Sequence, residues 1–373
     1  TKQEMNFWHN RLQQDTGSYI NMLELARHSL EFHQLTGQVD YLNMADSLLQ
    51  NSSVKLNHTD AELLYSLTQS SIARHQFPKA AAYCKMAAAA GGDKHILHLL
   101  QFDTYMELGD YKNAGRSLQN ISDRSSFDYL IRKAKWDDNQ GELDAAINWM
   151  ELALKCIDKK SKNLKVWTLS NLGDMYGHAG RIKEAYNAYL EVLKIDPANL
   201  YCLNGIAWIA FSHDRDTEEA KRILQFIISH HENPDFKLIL ADIAETENNS
   251  KEKMSWINKF IKQTTDSRYS SMYSKNLMMV FSEEFQKYDK ALMIAENEIH
   301  NRFTPETCDW IAWIKYQQGR HKEALSLVEK YVYGYNHEPE ALMHVAYIFE
   351  ANGKVSEARR LLSECLNSSF ELG

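Results

Sequence analysis

The sequence predicts an all-α fold made of stacked pairs of antiparallel helices. Two successive amphipathic stretches within residues 166–199 are joined at Gly180 and end at Asp196-Pro197. Weaker copies of this pattern lie on both sides, and we find no alternating pattern of the kind that predicts strands. A pattern that recurs at one period indicates a repeat protein, in which each helix pair buries its apolar face against the next.

The unit at 166–199 shows why such a pair folds. Its first stretch places apolar or small residues on one helical face: Leu169, Leu172, Gly173 and Tyr176. Its second stretch does the same with Ala185, Ala188, Tyr189, Val192 and Leu193. Gly180 can end the first helix at positive φ, and Pro197 cannot continue the second. The small Gly173 and Ala185 let the two helices approach closely, and we expect Tyr176 to fill the adjacent gap.

This unit resembles the tetratricopeptide repeat (TPR), a helix–turn–helix unit with small, aromatic and terminal proline positions in the same order. The resemblance implies a right-handed superhelix, an α-solenoid of about ten helix–turn–helix units. Units that keep the spacing more loosely are 95–125, 127–158, 305–338 and 339–370. Irregular units are 19–52, 61–92, 200–234, 235–266 and 270–304. In the second of these, His75 stands where the turn glycine is expected, and the last two lack that glycine altogether.

The charge balance disfavours nucleic acid as a partner. The 373 residues include 42 Lys and Arg against 50 Asp and Glu, a formal net charge of −8. A mildly acidic protein is repelled by a phosphate backbone, so we predict no nucleic-acid partner. The same argument disfavours pentatricopeptide arrays, which have a similar unit length but bind RNA. Sel1-like units, a further alternative, are longer and carry a different pattern of small residues.

No long linker interrupts the predicted helices. Residues 1–18 are expected to form a capping segment that covers the first unit. The short basic stretch 158–165 can separate an N-terminal block of about four irregular units, 19–158, from a C-terminal block of about six, 166–373. The alternative is a slightly long connection inside one continuous array.

Only a resemblance to other proteins suggests the cellular compartment of this protein. No apolar run approaches the roughly 20 residues that a membrane-spanning helix needs, so we predict no transmembrane segment. The chain begins with Thr rather than Met, which leaves open the removal of a signal peptide or lipid anchor. Residues 127–132, 176–181 and 205–209 resemble stretches of secreted or lipid-anchored TPR proteins of Gram-negative bacteria. That resemblance implies a periplasmic or cell-envelope location, with the cytoplasm as the alternative.

We predict no catalytic site, no metal site and no cofactor. His230-His231-Glu232 resembles a fragment of a metal site, but adjacent histidines diverge and no third ligand is near, so a solvated loop is expected. We find no nucleophile, phosphate-binding or dinucleotide-binding motif, and the carboxylates are spread along helix faces as solvated charges. The five cysteines lie among apolar residues without metal-ligand spacing, and all five are expected to be buried thiols.

The expected functional surface is a groove lined by the first helix of each pair. Aromatic side chains recur there, and Trp and Tyr are favoured anchors at interfaces. The residues expected to face the groove are Trp167, Ser170, Asp174, His178, Tyr201, Asn204, Trp208, Asp309, Trp313, Tyr347 and Glu350. One TPR subtype grips a C-terminal carboxylate with Lys, Arg and Asn on successive first helices. The corresponding helices here carry no such basic cluster, so an extended or helical peptide with apolar anchors fits better.

We therefore predict a non-enzymatic scaffold that binds a protein or peptide partner in the concave groove. The alternative is a structural accessory of a bacterial cell-envelope complex that docks through its ends or its convex face. The sequence leaves the identity of the partner and the oligomeric state open.

Overall fold

The computed structural model describes residues 2–158, 160–365 and 370. These residues form helices and no strand, which confirms the predicted all-α class. The helices are α1 Lys2–Gln14, α2 Tyr19–Thr36, α3 Val39–Lys55, α4 Ala61–Ala73, α5 Phe77–Ala89, α6 Lys94–Leu108, α7 Tyr111–Gln119, α8 Phe127–Asn139, α9 Leu143–Cys156, α10 Lys162–His178, α11 Ile182–Ile195, α12 Leu200–Ser212, α13 Thr217–Ile228, α14 Asp235–Thr246, α15 Ser250–Thr264, α16 Ser274–Glu283, α17 Tyr288–Asn301, α18 Pro305–Gln317, α19 His321–Leu327, α20 Pro339–Ala351 and α21 Val355–Cys365. A 3₁₀ turn at Ser267–Tyr269 precedes α16, and a π-helical turn at Val328–Val332 extends α19. None of the described helices combines the length and the apolar composition that crossing a bilayer requires.

After α1, which packs against α2, the helices of the described chain follow one another as ten successive pairs, as the sequence predicts. Packing between paired helices is seen for α2–α3, α4–α5, α6–α7, α8–α9, α10–α11, α16–α17, α18–α19 and α20–α21. Neighbouring pairs also touch, for example through α3 and α4, α9 and α10, and α11 and α12. Contacts between elements adjacent in sequence are what a stacked repeat requires.

Packing divides the chain into two compact units, and neither is continuous in sequence. Unit 1 contains residues 1–122, 228–237 and 258–273, and unit 2 contains residues 123–227, 238–257 and 274–373. The blocks 19–158 and 166–373 follow chain order and stay a prediction, as does the capping role of residues 1–18. Within the expected linker, residues 162–165 already belong to α10, which packs against α9. Residues lying outside the described part are Thr1, Lys159, 366–369 and 371–373.

The turns between paired helices keep a left-handed residue even where glycine is absent. In the α10–α11 turn, Gly180 has a φ of 70°, and the next N–H donates to the carbonyl five positions back at 2.7 Å. His75 takes the same place in the α4–α5 turn with a φ of 53° and an equivalent hydrogen bond of 2.8 Å. Asn248 and Gln286 have φ values of 57° and 52° in two later turns. Packing of the helix pair therefore imposes a conformation that costs a non-glycine residue about 1 kcal/mol.

The gap between α10 and its neighbours is filled by Tyr189, not by Tyr176 as the sequence suggested. Tyr189 on α11 is fully buried, and its ring covers two glycines of adjacent first helices. A Cβ at Gly173 would lie 2.3 Å from that ring, and one at Gly205 would lie 2.5 Å from it. Tyr176 is half-buried and donates its hydroxyl to Glu151 at 2.9 Å. The expectation for Tyr176 was wrong because the gap lies between Gly173 on α10 and Gly205 on α12, and Tyr189 of α11 fills it.

Cysteine burial matches the expectation at four of the five positions. Cys84, Cys202, Cys308 and Cys365 are buried, whereas Cys156 is exposed. Cys156 is the last residue of α9, beyond the part of the helix that packs on its neighbours, and its Sγ lies 3.7 Å from the carbonyl of Ser125. The expectation of a buried thiol was therefore wrong at this position.

Candidate partner-binding surface

The first helices of neighbouring pairs in unit 2 lie side by side. α10 contacts α12, α16 contacts α18, and α18 contacts α20. We call the solvent-facing side of α10, α12, α14, α16, α18 and α20 the first-helix face, taking for α14 only its residues in unit 2. The eleven residues expected to line a groove fall into two groups here, one on α10 and α12 and one on α18 and α20.

On α10 and α12, two aromatic side chains are exposed beside a carboxylate. Trp167 is 44% exposed, and its ring lies 6.1 Å from that of Phe127 on α8. Tyr201 is 55% exposed and donates its hydroxyl to Asp174, which also accepts from the Tyr189 hydroxyl at 2.6 Å. Burial raises the pKa of Asp174 even though both hydroxyls favour its charged form. The two rings therefore offer exposed aromatic surface next to a carboxylate held in place by hydrogen bonds.

A third part of this surface, near His178 on α10 and Trp208 on α12, is occupied by Phe370, a residue from far along the same chain. The exposed His178, the last residue of α10, places its ring 5.7 Å from the Phe370 ring in an edge-on arrangement. Trp208 on α12 is half-buried, and its Nε1–H donates to the Phe370 carbonyl at 2.6 Å. Asn204, one turn before Trp208, is also half-buried. Two of the expected groove residues thus already contact a residue of the same polypeptide.

Ser170 and Asp309 are buried rather than groove-facing, which corrects the expectation for both. The Ser170 hydroxyl donates to Val166 O at 2.9 Å, and its Oγ lies 3.1 Å from Cys202 Sγ. Asp309 Oδ2 lies 2.9 Å from His344 Nδ1. Both side chains bridge neighbouring first helices and leave no surface for a partner. Helical spacing assigns a residue to a face, but it does not separate the exposed stripe from the stripe that touches the next helix.

On α18 and α20, aromatic rings form a contiguous cluster. The Trp313 ring stacks on His344 at 4.1 Å and lies 6.1 Å from the ring of Tyr347. The Trp313 Nε1–H donates to Glu283 Oε1 at 2.8 Å, which ties α18 to the end of α16. Tyr347 is 38% exposed, and Glu350 is exposed on the same helix. Three successive first helices therefore share one aromatic and acidic surface.

Three carboxyl groups on this face have raised pKa values. The proximity of the surrounding helices raises the pKa of Asp242 on α14, Glu283 on α16 and Glu306 on α18, although the side chains of Asp242 and Glu283 are exposed and that of Glu306 is half-buried. For Asp242 the pKa reaches about 7. The Lys275 ammonium lies 2.9 Å from Glu340 and 3.8 Å from Glu306, so it is already engaged.

Asp242 and Glu283 are exposed, in line with the prediction of solvated carboxylates along the helices, whereas Glu306 is half-buried and departs from it. The repeat period could have indicated that such groups lie together. Asp242 lies 34 positions after Trp208, and Glu340 lies 34 positions after Glu306. Residues one repeat apart occupy equivalent places on successive first helices, so acidic residues at equivalent places converge on one surface.

The His230–Glu232 segment lies in a loop of unit 1, where His230 and Glu232 are exposed, as expected of a solvated loop, and His231 is half-buried. The Glu232 N–H donates to the Thr36 carbonyl at 2.8 Å, and Gln38 Nε2 donates to Glu232 Oε1 at 3.1 Å. The His231 ring fills the space beside Gly37. Across the described part of the chain, no group of three or more His, Cys, Asp or Glu side chains is placed to hold a metal ion.

Residues 168–199 match the family model of the tetratricopeptide repeat. This part of the chain carries a tetratricopeptide repeat, as its sequence predicts. The matched residues span the α10–α11 pair, so the TPR pattern coincides with the part of the chain that builds one end of the first-helix face. No curated protein sequence matches the chain.

Two solved structures are similar to this chain in fold. The human IFIT1 dimer with PPP-AAAA is similar over 97% of this chain and 94% of that chain, with a TM-score of 0.50 and 12% identity. A Rap protein complexed with competence and sporulation factor is similar over 83% of this chain and 97% of that chain, with a TM-score of 0.50 and 14% identity. At these identities the likeness concerns the fold alone.

Proposed function

We propose that this protein is a non-enzymatic scaffold whose first-helix face in unit 2 binds a positively charged segment of a partner protein. Stacked helical repeats commonly present extended surfaces to such partners. The observation that carries the proposal is a set of carboxyl groups, at Asp242, Glu283 and Glu306, on the face that also carries the half-buried Trp313 and the exposed Tyr347.

The chemistry of these carboxyls favours a basic partner. The pKa of Asp242, raised to about 7, reflects how poorly the protein alone stabilises the charge of this group. A Lys or Arg side chain from a partner would supply charge-assisted hydrogen bonds to the carboxylate. An Arg guanidinium can also stack on a ring such as Tyr347. An acidic partner would instead meet repulsion at the same place.

Selection from a random peptide library tests this preference. We expect the wild-type protein to enrich peptides that carry Lys or Arg. A triple variant with Asp242→Asn, Glu283→Gln and Glu306→Gln should lose that enrichment, because neutral side chains of the same size no longer attract the cations. Selection of mainly acidic or uncharged peptides by the wild-type protein would contradict the proposal.

A matched variant controls for the change in net charge. Glu191, Glu218 and Glu357 are exposed carboxylates on the second helices α11, α13 and α21 of unit 2. Replacing all three with Gln removes the same three charges away from the first-helix face. This control should enrich basic peptides as the wild-type protein does, and a loss of enrichment here would indicate a long-range charge effect instead of a site.

The pH dependence of peptide binding gives a second test. In the free protein the pKa of Asp242 is raised from 3.8 to about 7, so this carboxyl holds its proton up to nearly neutral pH. A cationic peptide binds the deprotonated form, and its affinity should rise as the pH increases through about 7 and then level off. Titrations with a selected peptide should show this rise for the wild-type protein and a flatter profile for Asp242→Asn. An affinity that falls over this range would count against the proposal.

The exposed rings of Trp167, Tyr201 and Tyr347 are proposed as the apolar anchors of the same surface. Large aromatic side chains bury much area with few rotatable bonds, and truncating a true anchor costs at least tenfold in affinity.

The envelope location, with the cytoplasm as its alternative, and the role as an accessory of an envelope complex stay predictions. A signal peptide with a lipidation cysteine in the unprocessed protein would support them.

A further inference from the structure

Phe370 is held in unit 2 by contacts to both its ring and its main chain. The side chain is buried, and it belongs to an apolar cluster with Leu169, Tyr189 and Ile209. The Trp208 Nε1–H donates to the Phe370 carbonyl at 2.6 Å, and the His178 ring packs edge-on at 5.7 Å. These two contacting residues were expected from the sequence to face a partner.

The space occupied by the ring exists because α10 has a glycine at this point. A Cβ built on Gly177 would lie 2.3 Å from the Phe370 ring, and its three nearest neighbours would all be atoms of that ring. The Phe370 ring is therefore the first group that a side chain at this position would meet. We call the cleft bounded by Gly177, His178 and Trp208 the Phe370 pocket.

We propose that the Phe370 pocket is a binding site for an aromatic residue of a partner protein segment, and that the chain's own Phe370 occupies it as a competing intramolecular ligand. The contacts recognise a ring together with a backbone carbonyl, and any polypeptide with a phenylalanine offers both groups. Phe370 reaches the pocket from 162 residues beyond Trp208 in the sequence, so the contact is tertiary and does not belong to the helix-pair repeat. The pocket lies on α10 and α12, and the proposal does not rest on the acidic surface described above.

Occupancy of the Phe370 pocket by the chain's own Phe370 leads to a quantitative prediction. A tethered residue acts at an effective concentration on the order of millimolar, so it competes strongly with a free segment of similar affinity. Removing the Phe370 ring should therefore expose the pocket and tighten the binding of an added peptide at least tenfold. The probe is a fluorescein-labelled peptide with the sequence of residues 361–373, titrated into the full chain and followed by fluorescence anisotropy.

We expect the Phe370→Ala protein to bind this peptide and the wild-type protein to bind it at least tenfold more weakly. The same peptide with Ala in place of its Phe should not bind. Equal affinity for the two proteins, or no binding to Phe370→Ala while its helical circular dichroism is unchanged, would overturn the proposal.

Pocket variants in the Phe370→Ala protein locate the binding site. Gly177→Ala fills the pocket and suits a helical position better than glycine, so it should abolish peptide binding and preserve the fold. Trp208→Phe removes the N–H donor but keeps a ring, and it should weaken binding about tenfold. Trp149→Phe removes an Nε1–H that donates to Asp137 at 2.8 Å and not to Phe370, so this variant is the control and should bind normally. Normal peptide affinity in Gly177→Ala would refute the pocket.

A final measurement is independent of the Phe370→Ala protein. Gly177→Ala in the otherwise wild-type chain should expel the Phe370 ring, and chymotrypsin, which cleaves after aromatic residues, should then cut after Phe370 faster than in the wild-type protein. The same rate of cleavage in both proteins would show that Phe370 does not occupy the pocket in solution.

Discussion

The first helix pair, α2–α3, and the fifth, α10–α11, both turn on a left-handed glycine, yet the two glycines meet different demands. Gly37 and Gly180 have φ values of 68° and 70°. Around Gly180 nothing lies within 4 Å of the place where a Cβ would stand, whereas at Gly37 that Cβ would lie 2.4 Å from the His231 ring and 2.8 Å from the Asn233 nitrogen. The same local signal therefore marks a simple turn in one pair and a docking point in the other.

The docking at the first pair involves more than one contact within unit 1. The Glu232 N–H donates to the Thr36 carbonyl at 2.8 Å, and the Arg268 guanidinium lies 2.7 Å from Asp40. The fifth pair instead depends on its own Tyr189, which fills the space between two first helices. One pair is thus completed by residues that lie 194 and 228 positions later in the chain, and the other by the repeat itself.

The largest predicted effect tests the internal packing of the two pairs. Tyr189→Ala should destabilise the protein by about 3–5 kcal/mol, because it empties a fully buried ring site. Leu49 holds the corresponding place in the first pair, because it follows Ala45 by four residues just as Tyr189 follows Ala185. The variant Leu49→Ala removes a smaller buried side chain than Tyr189→Ala does. Urea unfolding should therefore place Tyr189→Ala below Leu49→Ala in stability. The reverse order would mean that Tyr189 is not the main filler of its pair.

The next prediction separates the two turn glycines. Gly180→Ala should cost about 1 kcal/mol, since only the left-handed backbone opposes it. Gly37→Ala should cost at least about 2 kcal/mol, because its Cβ also displaces His231 and the backbone at Asn233. Hydrogen exchange should show faster exchange at 228–237 in Gly37→Ala and no change there in Gly180→Ala. Equal losses for the two variants would remove the distinction between a turn and a docking point.

The smallest effect concerns turns that lack glycine. Gln286 is exposed with a φ of 52°, so Gln286→Gly should stabilise the protein by about 0.5–1 kcal/mol by relieving backbone strain. His75→Gly should stabilise the protein less than Gln286→Gly does, because the His75 ring stacks on Phe77 at 5.4 Å and this contact is lost. Thermal unfolding can compare both with Gly319→Gln, which introduces the same strain into a regular turn and should be destabilising. A loss of stability in Gln286→Gly would show that its left-handed conformation is not strained.

Much of the fold could be predicted from particular residues. Helical spacing of apolar residues and the turn at Gly180 identify the α10–α11 pair, and weaker copies of the pattern locate the other pairs. The candidate site was predicted in part. Trp167, Tyr201 and Tyr347 are exposed as expected, but Ser170 and Asp309 are buried, because the spacing does not say which stripe of a helix meets its neighbour.

By itself, the sequence determined the class of fold, the succession of helix pairs and the resemblance to the tetratricopeptide repeat, because each depends on contacts between residues within about one repeat of each other. Only the tertiary structure decided that His231 covers Gly37, that Phe370 fills the space beside Gly177, and that the pKa of Asp242 is raised. These features arise when residues from distant repeats, or several neighbouring helices at once, surround one group. A repeat period in the sequence does not predict these contacts, because they depend on how the chain packs in three dimensions.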